Sequence, residues 1–140
     1  MSKTVIAVAP GFLIMLTISV LILPLRLVLA WFVASLVHEL GHLICLCILQ
    51  ARIYSISVGF SGAKIHTEQI SDLQECISAL AGPVMGILLL PLSSYIPYIC
   101  ICALLQSCFN LLPFYPLDGG RAVLAIFRIL LHGRGVTKKY

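Results

Sequence analysis

The sequence predicts an all-α polytopic membrane protein: about four transmembrane helices, a small membrane-edge β-hairpin, and an unwound segment rich in proline and glycine. Three observations predict it. Hydrophobic residues make up 61% of the 140 and charged residues 10%, against about 25% charged in an ordinary soluble domain. The apolar residues gather into segments near the roughly 20 residues that a bilayer crossing needs. One polar interval and one Pro/Gly-interrupted stretch break the apolar pattern.

Mean hydropathy is +1.10. Nine basic and five acidic side chains cannot wet the surface of a 15.3 kDa globule. A free soluble enzyme, a DNA-binding domain and a disordered regulator are thereby excluded. The net charge of +4 is scattered along the chain without a patch or run, so no nucleic-acid partner is expected; the lipid bilayer is. A chain of this length forms one domain, residues 1–140, with a core at about 27–132. Of six cysteines, Cys45, Cys47, Cys100, Cys102 and Cys108 lie in apolar runs and Cys76 near a polar edge. They read as small buried hydrophobes rather than a disulfide framework.

The first apolar segment runs from about Val5 to Leu23, and Pro24-Leu25-Arg26 turns the chain after it. Lys3 before this run gives it the look of a signal peptide. Cleavage after Ala34 would start the mature chain a few residues before His38, so a signal anchor is the reading adopted. The second segment runs from about Leu27 to Leu49, the third from about Cys76 to Leu92 and the fourth from about Ile96 to Leu112. Ser71-Asp72-Leu73-Gln74 fits a capping box that starts the third. A shorter apolar stretch, Ala122 to Leu131, resumes after Gly119-Gly120 and ends in a basic tail.

With the N-terminus inside, Lys3, Arg52, Lys64, Arg134, Lys138 and Lys139 are all cytoplasmic, and the uncharged turn from Pro91 to Pro97 lies outside. Only Arg26 dissents. Both termini are therefore expected in the cytoplasm. In the polar interval from Gln50 to Glu75, Tyr54, Ile56, Val58 and Phe60 alternate with Ser55, Ser57 and Gly59, the period of a half-buried strand. Ser61-Gly62 can turn and Lys64 to Thr67 can return, giving a hairpin at the cytoplasmic surface; an irregular loop is the alternative.

The second segment contains His38-Glu39-Leu40-Gly41-His42. On a helix His38 and His42 stand one turn apart on one face, so both imidazoles reach one metal. Glu39 lies about 100° around the helix, placed to act on a water without being a ligand. That is the zincin arrangement, two His on zinc with Glu as general base. An ionisable side chain at bilayer depth costs on the order of 2.5–3.5 kcal/mol, so such residues are paired, bind an ion or line a pathway. Only Glu39 and Asp118 among the acids lie outside the polar interval. A polar cluster satisfied without metal is the plainer alternative.

Asp118 sits in the stretch Asn110 to Arg121, NLLPFYPLDGGR. Pro113 and Pro116 stop a regular helix, and Gly119-Gly120 permits close backbone approach. Non-helical backbone at membrane depth survives only where protein buries it or it lines a wet cavity. Alone, the pattern could equally be a turn between helices. Beside the His-Glu pair, it is expected to unwind and offer Asp118 as the third ligand.

HELGH together with NLLPFYPLDGGR resembles the site-2 protease family of zinc intramembrane metalloproteases, in spacing and brevity its bacterial stage IV sporulation protease branch. The resemblance covers about two-thirds of the chain, from the second apolar segment to Arg121. It implies one zinc ion per chain on His38, His42 and Asp118, Glu39 as catalytic base, and Asn110 as a substrate-positioning residue. It also implies that Tyr54 to Phe60 is the edge strand that receives unwound substrate. The expected activity is cleavage of a transmembrane or membrane-associated protein within or near the cytoplasmic leaflet, in a bacterial cell membrane.

The family often has an Asn shortly after the Gly-Pro of its third core helix, whereas this chain reads Ala81-Gly82-Pro83-Val84-Met85-Gly86. Gly82 and Gly86 form a small-xxx-small pair suited to close helix packing. No PDZ or CBS-like domain and no crossings after the Asp118 segment are read. A homo-oligomer or a regulatory membrane partner is therefore expected to seal the cavity. The competing class is a non-catalytic, metal-binding scaffold of the same fold. Cys45 lies on the metal-facing stripe and reads as packing; His66 and His132 read as surface histidines; Arg121 and Arg128 are placed to snorkel to headgroups.

Overall fold

A computed structural model describes residues 5–8, 10–59, 62–67 and 70–132. In chain order the elements are β1 (Val5–Val8), α1 (Pro10–Ile22), α2 (Leu25–Ile48), β2 (Ile53–Gly59), β3 (Gly62–Thr67), α3 (Asp72–Ile87), a 3-10 turn (Leu90–Leu92), α4 (Pro97–Asn110) and α5 (Asp118–His132). The chain is mostly helical. α2 and the continuous stretch Asp72–Leu92 are long and apolar enough to cross a membrane; α4 is apolar but shorter, at 14 residues.

Local chemistry sets most boundaries. Pro10 and Pro97 open α1 and α4, where a missing N–H costs nothing. Pro24 separates α1 from α2. α2 ends in a Schellman closure: the Gln50 N–H donates to the Cys47 carbonyl and the Ala51 N–H to that of Leu46. Gln50 itself takes a left-handed φ of 55°. The expected capping box is present, with the Ser71 hydroxyl accepting from the Gln74 N–H and the Gln74 side chain accepting from the Ser71 N–H. It starts α3 at Asp72, four residues before the apolar run begins.

The first apolar segment does not form one crossing helix from Val5. Val5–Val8 is a strand, and α1 is 13 residues long from Pro10. Both states present continuous apolar side chains, so hydropathy alone merged them. β1 pairs parallel with β2, Val5 opposite Ser55, and β2 pairs antiparallel with β3, Ser57 opposite Lys64. The polar interval thus holds the expected antiparallel pair, but within a three-stranded sheet of order β1-β2-β3. Phe60 of the expected strand and Ser61 of the expected turn lie outside the described residues, as do Lys3, Arg134, Lys138 and Lys139.

α3 packs between α2 and α5 and also meets α4. The seams are made of small residues: Ala30 and Ala34 of α2 against Cys102 and Ala103 of α4, with Ala79 and Ala125 fully buried. Gly41 and Gly86 serve the same end. A Cβ on Gly41 would stand 2.6 Å from the Ala81 carbonyl oxygen, and one on Gly86 would fall on the Ser107 hydroxyl. Small residues of this kind let helix backbones approach closely. The large apolar side chains point outward instead, with Leu21, Ile22, Ile48, Leu88 and Leu130 all exposed. That inversion suits a lipid environment.

Candidate metal centre

Three side chains from two helices meet at one buried point. His38 and His42 project from one face of α2, and Asp118 is the first residue of α5. Their exposures are 3%, 6% and 8%. The Asp118 Oδ2 lies 3.0 Å from Nε2 of His38 and 3.2 Å from Nε2 of His42, and the two Nε2 atoms are 3.2 Å apart. The rings meet edge to face at 79°. This convergence is what the sequence motifs led one to expect, and these three form the one such group among the described residues.

The donor chemistry fits a cation. Nδ1 of His42 lies 2.7 Å from the Ser78 carbonyl oxygen, an acceptor only, so the ring places its proton there. In the neutral ring Nε2 is then a lone pair, and it faces a carboxylate oxygen and a second imidazole nitrogen. Acceptors crowded this closely repel unless a proton or a metal ion lies among them. A second-partner bond from the far ring nitrogen to a carbonyl is the usual way of orienting a metal-ligating histidine. Nδ1 of His38 is buried with no such partner among the described residues.

Glycine makes room for this arrangement. A Cβ on Gly82 of α3 would fall on Nε2 of His42 and lie 2.9 Å from Nε2 of His38. Leu111 to Leu117 is non-helical, as the two prolines led one to expect. Cβ atoms on Gly119 and Gly120 would strike the backbones of Leu111 and Phe114, so glycine lets α5 begin inside that loop. Asp118 sits at the helix N-terminus, where the macrodipole favours a carboxylate.

Around the triad lies a cavity of about 350 Å³ lined by Glu39, Asn110, Tyr115 and Arg121, and by Ile65 and Thr67 of β3. Glu39 is half-buried there. The Asn110 amide nitrogen is 3.3 Å from Nε2 of His38. Neither arginine of α5 reaches only toward headgroups. Arg121 donates to Oδ1 of Asp118 at 3.3 Å, and Arg128 donates to Glu75 at 3.1 Å. Cys45 is not part of the group of three. Ser78 escaped sequence reasoning because it acts through its backbone carbonyl, which any residue type supplies.

No protein-family model matches the chain, and no curated protein matches it. Among solved structures it is similar to the site-2 protease from Methanocaldococcus jannaschii, with a TM-score of 0.74 and 25% identity. That similarity covers 92% of this chain and 69% of the other. The resemblance carried by HELGH and NLLPFYPLDGGR thus extends over the backbone as a whole, and the chain has the fold of the site-2 protease family.

Proposed function

We propose that the chain is a zinc metalloprotease that cleaves a transmembrane or membrane-associated protein within or near the cytoplasmic leaflet. The observation that carries this reading is the buried meeting of His38, His42 and Asp118 beside Glu39 in one cavity. The three would hold one zinc ion, which when bound supplies a Lewis acid and lowers the pKa of water. Glu39 takes a proton from the attacking water and returns it to the leaving amine, the exchange expected of a positioned carboxylate. Asn110, whose amide nitrogen is 3.3 Å from the His38 ring, positions the substrate carbonyl from the cavity wall.

The substrate reaches these groups as an extended strand. β2 is flanked on both sides, so Tyr54 to Gly59 offers no open edge. The outer edge of β3 is the better receiver, since Ile65 and Thr67 of that strand line the cavity. β1 precedes α1 and pairs with β2, which follows α2, so the N-terminus and the sheet share one side. An even number of crossings between β1 and β2 fits this; with α3 and α4 as a second pair, and with the basic residues placed inside, the reading is four crossings with both termini in the cytoplasm of a bacterial membrane. A homo-oligomer or a membrane partner would close the cavity.

Glu39→Gln tests the reading. In lipid vesicles containing single-span membrane peptides, the variant should keep its zinc and cleave none of the peptides that wild type cuts. Equal cleavage by both would remove Glu39 from the chemistry. Zinc bound by wild type without cleavage of any peptide would favour the non-catalytic scaffold, a reading that the lack of an Asn shortly after Gly82-Pro83 supports.

A further inference from the structure

One stripe of α3 carries more than packing. Asp72, Glu75, Ser78, Gly82 and Gly86 recur at intervals of three and four, so they lie along one face of the helix. Glu75 and Asp72 meet Arg128 near the far end of α5, at 3.1 and 3.5 Å. The Ser78 carbonyl fixes the His42 ring. Gly82 lies against both imidazoles and Gly86 against Ser107 of α4. The helix that orients the histidines is therefore also the helix to which α5 is tied.

α5 runs outward from Asp118 at the metal centre to Arg128, ten residues and about 15 Å away. α3 runs the opposite way, inward from Asp72 to Gly82. The carboxylate of Asp118 must stay near 3 Å from two nitrogens it does not share a helix with. A slide of α5 by one residue, about 1.5 Å along its axis, would break that spacing. Ala79 of α3 and Ala122 and Ala125 of α5 are buried, and side chains this small resist separation but fix axial position weakly. The ion cluster is directional, and a guanidinium between two carboxylates has one position along the helix.

We infer that Arg128, held by Glu75 and Asp72, is a positioning residue that sets the register of α5 on α3 and so delivers Asp118 to His38 and His42. This rests on the metal-site reading above. The populated fraction of competent register scales the apparent affinity for the ion, so loosening the clamp weakens metal binding without touching a ligand.

The test is zinc affinity of the full chain in detergent, measured by competition with a chromophoric chelator. Arg128→Gln should bind zinc at least fivefold more weakly while its helical circular dichroism is retained. Exchanging the charges, Glu75→Arg with Arg128→Glu in a chain that also carries Asp72→Asn to remove the like charge, should bring affinity back to within twofold of wild type. If Arg128→Gln does not fold, Glu75→Gln carries the test, with a smaller loss expected because Asp72 remains. Wild-type affinity in the folded single variant, or no recovery in the exchanged pair, overturns the inference alone. Absence of zinc from wild type would overturn the metal reading, and this inference with it.

Discussion

Gly82 shows how far the site depends on a missing atom. Its hypothetical Cβ coincides with a ring nitrogen of His42, so Gly82→Ala must displace an imidazole or move α3. Overpacking of this kind costs on the order of 1–3 kcal/mol. Here the displaced group is a proposed ligand, so zinc affinity should fall at least about tenfold, as when an orienting partner is lost. Affinity unchanged in a folded variant would show that the rings are not held where the geometry puts them. At this scale the sequence was legible wherever residue type encodes role. His38 and His42 are spaced by one turn, Glu39 stands beside them, and Asp118 is an acid out of place in an apolar context. It was silent on Ser78, whose contribution is a backbone oxygen, and on the pairing of Arg128 with Glu75 and Asp72, which tertiary packing sets.

Among the elements, α2, the capped start of α3 and the break after Asn110 follow from apolar periodicity, Ser71-Gln74 and the two prolines. β1 did not, because a four-residue strand leading into an apolar helix leaves no change in hydropathy to read. That strand bears on the proposed substrate path, since it occupies the edge of β2 and leaves β3 as the edge lying beside the cavity. Proline in β3 tests this. Ile65→Pro removes a backbone donor and cannot sit in a regular ladder, while it lies on a different element from the proposed ligands. Cleavage of a membrane peptide should fall by an order of magnitude or more at unchanged zinc content. Undiminished cleavage would move the substrate away from β3.

For the whole molecule, composition and structure agree on an inverted arrangement. Alanine, glycine and serine fill the seams, and leucine, isoleucine and phenylalanine cover the outside. Lipid is the medium in which such a surface is stable, because there close packing of small residues rather than apolar burial holds helices together. The proposed four crossings, with both termini in the cytoplasm, rest on charge placement and on the side shared by β1 and β2. An epitope inserted at Ser94, in the uncharged turn before α4, should be reached by antibody on intact cells. An epitope at the N-terminus should be reached only after permeabilisation. The reverse pattern would invert the topology and put the sheet and cavity at the other leaflet.

The most direct measurement is the zinc content of the purified protein, wild type beside Asp118→Ala. The account predicts about one zinc per chain in wild type and its loss, or a sharp weakening, in the variant, since the carboxylate comes from a separate helix and completes the set of three. A folded wild-type protein that binds no zinc, or a variant that binds it as tightly as wild type, would contradict the metal centre at the base of the whole reading.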